Sequence, residues 1–355
     1  MTEHPMPCNE PRRCNRGFTL IELMVAMLLG LIVIAGVVSV FLANQQTYRT
    51  NEALGDVEDG SRIAFEMLAR DIRDAGLTGC DTSNGRLSNV LSNGPNANGG
   101  TATDWYADWR NALHGYDNAG SIADPALTAL PTSGATSPVV GNGSVQVIST
   151  GSLDVTIVTD PSPSAANFKI NAATTQLSKG DVIMVCDFDH ATLMQITDYT
   201  PPSVTVVHNS GTGSPGNCSK GLGYPTVCGG NANGANYTFP PNSRVSKLTA
   251  ADWYIGNNPV GGTSLYRLAV VSSSSAGLTP TPEEMVRNVA AMQIAYLQPP
   301  NTTFGTATSV GSNWTAVDAA QITLTLQSTN QRAGVNAKPI TRSFTSTTTV
   351  RNRVP

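Results

Sequence analysis

Hydrophobic side chains form one long run near the start of the chain. From Phe18 to Ala43 there are 26 residues with a single charge, Glu22. At 1.5 Å per residue, a helix of this length exceeds the roughly 30 Å hydrocarbon core of a bilayer. The polar leader before the run, residues 1–17, contains three basic residues: Arg12, Arg13 and Arg16. Because basic residues favour the cytoplasmic side, we predict a single membrane span whose following residues are exported.

The next segment has a helical pattern with two different faces. Between Gln45 and about Ala75, apolar residues recur every three or four positions: Leu54, Val57, Phe65, Leu68, Ile72 and Ala75. Charges of alternating sign follow the opposite face: Glu58, Arg62, Glu66, Arg70 and Asp74. Such pairs are typical of a solvated helix surface, although in an assembly the same face could contact neighbouring subunits. We predict a stalk helix that ends at Gly76 and Gly79.

Beyond the stalk, short β-branched and alternating segments predict strands. They are Ser144–Ile148, Leu153–Val158, Asp181–Cys186, Leu193–Thr197, Val204–Val207, Trp253–Ile255, Leu265–Val270, Gln321–Leu326 and Ser343–Val350. Glu284–Leu297 begins like a helix and ends in apolar alternation, so its type stays open. Residues 92–103 and 131–144 are rich in Gly, Asn, Ser and Thr and are expected to be loops.

These patterns predict an α+β fold in which a long N-terminal helix packs against an antiparallel β-sheet domain. We expect four segments: a leader (1–17), a transmembrane helix half (18–43), a periplasmic stalk helix (44–79) and a β-rich exported domain (80–355). Composition agrees with this division. Residues 1–86 hold 19 of the 46 charged residues, so the long C-terminal part is poor in charge.

Composition also bears on possible partners. Charged residues make up 13% of the chain, against about 25% in a typical soluble domain. The net charge of −4 provides no general attraction to nucleic acid. The basic C-terminal residues Arg342, Arg351 and Arg353 are more typical of a solvated edge strand. We therefore expect no nucleic-acid partner.

Four cysteines lie in the predicted exported part, where disulfides form. They are Cys80, Cys186, Cys218 and Cys228; Cys8 and Cys14 belong to the leader. Four cysteines allow three pairings. Cys218 and Cys228 close a short loop containing Gly and Pro, so we pair them and leave Cys80 with Cys186.

Other chemistry has little support in the sequence. The cysteines lack Cys-x-x-Cys spacing, and His190 and His208 are isolated, so we expect neither a zinc site nor another metal or cofactor. No catalytic motif is present, which favours a protein that is not an enzyme. Asp187, Asp189 and His190 could bind calcium together with Asp181 or Asp198, but a turn with hydrogen-bonded aspartates is favoured.

A local aromatic group lies between the two predicted loops. Trp105, Tyr106 and Trp109 could form either a small satellite core or a surface contact site. We favour the core over the contact site.

The segment Arg16-Gly17-Phe18-Thr19-Leu20-Ile21-Glu22-Leu23-Met24-Val25 resembles the type IV prepilin signature. The resemblance implies cleavage after Gly17 by prepilin peptidase and N-methylation of the new terminal residue, Phe18. It also implies that Glu22 pairs with the terminal ammonium of a neighbouring subunit. An unpaired carboxylate within the span would cost roughly 2.5–3.5 kcal/mol.

Later segments resemble the PilW-like minor pilins. They are residues 71–76 with Gly79-Cys80, then 180–185, 253–258, 264–267, 285–289, 292–296 and 349–353. The resemblance implies a minor pilin of a priming or tip complex, which contacts other minor pilins and the major pilin through its N-terminal helix. It also implies a single-pass inner-membrane protein with a periplasmic C-terminal domain, which later reaches the pilus surface and supports twitching motility.

Two alternatives remain open at this point. A J-type pseudopilin of type II secretion has a similar N-terminal helix. A tip adhesin or DNA-uptake pilin would use the loops at 86–140 and 208–245, which show no resemblance to the PilW-like proteins.

Overall fold

A computed structural model describes residues 17–80, 85–118, 122–160, 165–229, 233–273, 277–334 and 337–351. The predicted leader lies outside the described residues except for Gly17, and so do Cys8, Cys14 and Arg353.

One helix, α1 (Leu20–Arg73), runs without interruption through both predicted helical segments. Its 54 residues correspond to about 80 Å. Arg73 is the last helical residue, three residues before the predicted end at Gly76, and the backbone N–H of the next residue, Asp74, donates to the carbonyls of Arg70 and Ile72. Gly76 follows with φ 72°, a left-handed conformation that glycine adopts without steric cost.

The second half of α1 packs on the β-rich part through one face. The buried positions are Ala53, Val57, Ser61, Ala64, Leu68 and Ile72, spaced by three or four residues as predicted. Leu54 and Phe65, which were predicted to lie on this face, are half-buried at its margin. The charges of the opposite face are exposed from Glu58 to Arg70. The predicted amphipathic helix is therefore present.

The described residues form two sheets. The strands of the larger sheet are β1 (Leu87–Asn89), β2 (Leu113–Tyr116), β3 (Ser144–Thr159), β4 (Asn167–Ile170), β5 (Val182–Cys186), β6 (Ala191–Gln195), β7 (Thr205–Val207), β8 (Arg244–Asn257), β9 (Thr263–Ser273) and β10 (Gly277–Arg287). Its main order is β1-β6-β5-β8-β3-β4-β7; β2 also pairs with β3, β9 with β8, and β10 with β9. The parallel pairing of β1 with β6 is the exception among otherwise antiparallel pairings of the described strands.

A smaller antiparallel sheet lies against the helix. It consists of β11 (Val289–Leu297), β12 (Ala319–Gln327) and β13 (Thr341–Thr349), with β12 in the centre. A one-turn helix, α2 (Ala307–Val310), interrupts the connection from β11 to β12. The main hydrophobic core joins α1 to both sheets and includes Leu68, Trp253 and Tyr296. The α+β fold class predicted from the sequence is confirmed.

Several element boundaries differ from the predicted ones. The two strands predicted around residue 150 are one strand, β3, whose register with β8 shifts between Gly151 and Val155. The ambiguous segment that starts at Glu284 belongs to two strands, β10 and β11. Asn288 separates them with φ 61°. Long-range pairing with β9 and β12 outweighs the local helical preference here.

The sequence patterns did not predict β1, β2, β4, the first half of β10 or residues 244–252 of β8. In β10, Pro280 and Pro282 obscure the pattern because proline cannot donate to a ladder. Among the described residues β10 pairs with β9 alone. Residues two apart in a strand direct their backbone nitrogens to the same side, so Pro280 and Pro282 can both direct theirs away from β9. An edge position therefore accommodates both prolines.

Candidate functional site

The predicted cleavage point is fully accessible. Gly17 and Phe18 precede α1, and Phe18 is 85% exposed. A Cβ atom added at Gly17 would meet no atom within 4 Å. The chain around the Gly17–Phe18 bond is therefore open to a processing enzyme.

Glu22 belongs to the cap of the helix. The Thr19 side chain accepts a hydrogen bond from the Glu22 backbone N–H at 3.3 Å, and Glu22 Oε2 accepts one from the Thr19 N–H at 3.3 Å. This reciprocal capping box satisfies two backbone donors that the first turn would otherwise leave unpaired. The carboxylate itself is exposed, four residues after Phe18 in the sequence. Its pairing with a neighbouring subunit stays a prediction.

The apolar half of α1, Leu20 to Ala43, has no partner within the described chain. Among the described helices, α1 alone is long and apolar enough to cross a membrane, and none of its most apolar 18-residue stretch is buried. Phe41 and Leu20, at the two ends of the apolar half, are 64% and 76% exposed. A continuous apolar surface of this size requires lipid or other apolar helices around it. This arrangement is consistent with membrane anchoring.

Asp71 connects the other end of α1 to the larger sheet. Its Oδ2 atom accepts a hydrogen bond from the Trp253 indole at 3.0 Å and one from Arg267 Nε at 3.0 Å. Trp253 is buried, and the Arg267 side chain is 19% exposed. Asp71, Trp253 and Arg267 belong to separate segments of the sequence, and no sequence pattern relates them. These charge-assisted hydrogen bonds link the end of the helix to strands β8 and β9 in a partly buried position.

The structure brings together Cys80 with Cys186, and Cys218 with Cys228. The Cα atoms of the first pair are 6.1 Å apart and those of the second 5.2 Å, both within the range of disulfides. The first bond links the chain just after α1 to the end of β5, over a sequence separation of 106 residues. The second closes a loop in which the cysteines are 10 residues apart.

Of the residues considered for calcium, Asp187, Asp189 and His190 lie in the turn between β5 and β6, whereas Asp181 precedes β5 and Asp198 follows β6. Asp187 Oδ1 accepts hydrogen bonds from the backbone N–H groups of Asp189 and His190, both at 2.8 Å. Its Oδ2 accepts one from Tyr237, and Asp189 pairs with Arg86 at 2.8 Å. Burial lowers the pKa of His190. In the described part of the chain no group of three or more His, Cys, Asp or Glu could hold a metal ion.

The remaining candidates of the sequence analysis lie apart from one another. Tyr106 and Trp109 are buried in a hydrophobic cluster with Trp105 at its margin, as the core interpretation requires. Arg342 is on β13 and Arg351 follows that strand, both exposed. Neither group is close to the cleavage point in the chain.

Two neighbouring acidic side chains, Asp252 and Asp124, are buried without any signal in the sequence. Asp252, in the middle of β8, is completely buried near Asp124. Asp124 accepts hydrogen bonds from Ser144 Oγ at 2.6 Å and Gln146 Nε2 at 2.7 Å. Burial and the neighbouring carboxylate raise the pKa of Asp252 well above its usual range. The alternation of β8 could not reveal this pair, because Asp124 lies in an irregular segment far away in sequence.

Comparison with known families matches residues 12–38 to the prokaryotic N-terminal methylation motif. The matched residues include the predicted cleavage point, Glu22 and most of the apolar half of α1. Neither the curated proteins nor the solved structures gave a match.

These observations agree on a coarse assignment. The methylation motif implies processing by prepilin peptidase and assembly with other pilins. It also suggests a structural rather than an enzymatic protein. The motif, the uncovered apolar half of α1 and the β-rich domain behind it support a protein of the type IV pilin or pseudopilin type.

Proposed function

We propose that this chain is a PilW-like minor pilin that joins a priming or tip complex of a type IV pilus. The observation that carries the proposal is the apolar half of α1, which is uncovered along its length and has a single carboxylate, Glu22, behind a cleavable Gly17–Phe18 bond.

Cleavage after Gly17, followed by pairing of charges between subunits, would suit the N-terminal end of α1 to filament assembly. Cleavage after Gly17 creates a terminal ammonium on Phe18. In lipid, an isolated carboxylate and an isolated ammonium are both costly, roughly 2.5–3.5 kcal/mol each. When two subunits are staggered correctly, the Glu22 carboxylate of one neutralises the ammonium of the other. The pairing thus favours one axial offset between neighbouring helices over all others.

The globular part is attached in a way that suits a filament subunit. Asp71 fixes the helix to the sheet, and the Cys80–Cys186 bond ties the chain after α1 to β5. Because both links lie near the helix end, a pull on the helix reaches the β-rich domain through short, direct connections. The similarity of segments along the chain to PilW-like proteins supports the minor pilin role.

Surface piliation tests this proposal. Deletion of the gene should abolish surface pili and twitching, and the wild-type gene should restore both. Glu22→Ala should be cleaved normally but fail to restore pili. Glu52→Ala, which removes an exposed carboxylate from the part of α1 beyond the apolar half, is the matched control and should restore them. Normal piliation in a clean deletion would refute the priming role.

The same deletion strain distinguishes the second candidate, a J-type pseudopilin, which the N-terminal motif also fits. In that case, protein secretion through the type II system would stop and piliation would stay normal. An adhesin or DNA-uptake pilin would instead leave pili present but unable to bind their target.

A further inference from the structure

A cavity of about 700 Å³ lies between α1 and the loop that joins β12 to β13. Its volume is within the usual range of ligand sites, about 300–1,000 Å³. Three arginines line it: Arg49 from the helix, and Arg332 and Arg342 from the β12–β13 hairpin. None of the described residues that line it is acidic. We call this feature the arginine cavity.

The walls of the arginine cavity are held in place by neutral contacts. Thr50 Oγ1 and Gln46 Nε2 both donate to the Ala333 carbonyl oxygen, at 2.7 and 3.0 Å. Ala333 is fully buried, and a small apolar cluster with Ala53 and Ile340 lies beneath it. The hairpin is therefore fastened to the helix without the use of an arginine.

The three guanidinium groups are available for a ligand. Within the described residues, Arg49, Arg332 and Arg342 make no ion pair within 4 Å. Three like charges around one cavity repel each other, and an anion relieves this repulsion. Arginine binds phosphate through two parallel N–H donors, which makes a phosphate group a good match.

The position of the cavity along α1 indicates the source of the phosphate. The apolar half ends at Ala43, and Gln46 and Arg49 follow about 5 and 9 Å further along the axis. The headgroup layer of one leaflet is about 5–8 Å thick. If the apolar half lies in a membrane, the end of the arginine cavity lined by Gln46 and Arg49 lies at and just above the height of the headgroups. Leu54, about 16 Å beyond Ala43, also lines the cavity, so the cavity extends away from the membrane and its lower end, at Gln46 and Arg49, is the part next to the headgroups.

We propose that the arginine cavity binds the phosphate of an anionic phospholipid headgroup in the leaflet next to Ala43. The inference rests on membrane insertion of the apolar half, which the proposed function also requires. A bound lipid would brace the hairpin against the helix while the subunit waits in the membrane.

Native mass spectrometry of the full processed chain in detergent tests this inference. The protein is titrated with phosphatidylglycerol and, separately, with phosphatidylcholine of the same acyl chains. We expect a clear preference for phosphatidylglycerol. Each change among Arg49→Gln, Arg332→Gln and Arg342→Gln should weaken phosphatidylglycerol binding roughly fivefold, and the triple variant roughly a hundredfold.

The matched control is Arg244→Gln, which removes an exposed arginine at the start of β8, outside the cavity. It should bind phosphatidylglycerol like the wild type. Thermal unfolding of every variant verifies that the fold is retained. Equal binding of the two lipids by the wild type, or an equal loss in Arg244→Gln and Arg332→Gln, would overturn the inference.

Further measurements distinguish an anionic lipid from other ligands of the cavity. If inorganic phosphate binds as tightly as phosphatidylglycerol and displaces it, the cavity is a site for free phosphate and the lipid inference fails. The inference also fails if the arginines hold two copies of the chain together without anionic lipid. If carbonate extracts the chain from membranes, both the lipid inference and the proposed function fail. If the chain stays in the membrane but shows no lipid preference, only the lipid inference fails.

Discussion

Asp71→Ala tests how the helix is fixed to the larger sheet. The change removes Oδ2, the acceptor for both the Trp253 indole and the Arg267 guanidinium at 3.0 Å. Trp253 is 1% exposed, so water cannot easily replace the lost acceptor. Arg267 is left with the more distant Glu283, at 3.8 Å.

The magnitude follows from these contacts. An unsatisfied buried donor costs about 1–3 kcal/mol, and a hydrogen bond to a charged group contributes about 1.5–3 kcal/mol. The partial exposure of Arg267 reduces its share through solvent screening. Together these terms give an expected loss of about 2–4 kcal/mol in the free energy of unfolding.

Urea unfolding of the oxidised full chain in detergent, followed by tryptophan fluorescence, measures this loss. The matched control is Asp56→Ala, which removes an exposed carboxylate from the same helix. We expect the control to change the free energy of unfolding by less than about 0.5 kcal/mol. Equal effects of Asp71→Ala and Asp56→Ala would refute the argument that this contact fixes the helix.

Three more predictions concern the globular part. Burial raises the pKa of Asp252, so in the folded state this carboxyl group keeps its proton at pH values where the unfolded chain loses it. The free energy of unfolding of the wild type should therefore fall as the pH rises from about 4 towards the raised pKa. Asp252→Asn should lack this decline in urea unfolding at pH 4 to 8. Gly115→Ala places a Cβ atom into the Tyr296 side chain and should destabilise the protein by about 1–3 kcal/mol in the same assay. Replacing Cys80 and Cys186 by Ser should cost about 4–5 kcal/mol, because the bond closes a separation of 106 residues.

A control variant or a contradicting outcome accompanies each of these predictions. For Asp252→Asn, parallel pH profiles of variant and wild type would contradict the assigned shift. Gly55→Ala is the control for Gly115→Ala: its Cβ atom meets nothing within 4 Å in an exposed helical position, so it should stabilise by about 0.5–1 kcal/mol. The Ser replacement of Cys218 and Cys228 should cost about 2 kcal/mol less than that of the long-range pair. A Cys80–Cys218 crosslink in peptide mapping would contradict the pairing.

The helix and the methylation motif at its N-terminal end were predictable because their sequence signals are local. An apolar run with one carboxylate, Glu22, and a charge ladder with a fixed spacing depend on positions close in sequence. The same holds for strands such as β12, whose alternation is regular. The family match to residues 12–38 falls on this locally encoded part.

The contacts that define the globular part were not predictable, because they join distant residues. Asp71 contacts Arg267 across 196 positions, and Asp124 approaches the middle of β8 from an irregular segment. Nothing in the alternation of a single strand specifies such partners. The arginine cavity is a similar case, since Arg49 and Arg342 come together only when the hairpin folds back on the helix.

Mass spectrometry of the N-terminus of the membrane form tests the central claim most directly. The protein is expressed at its natural level, extracted from membranes and digested. The account predicts that the first residue is Phe18 carrying one methyl group, and that a strain without prepilin peptidase retains the leader. An N-terminus at any other residue, or an intact leader in the presence of the peptidase, would contradict it.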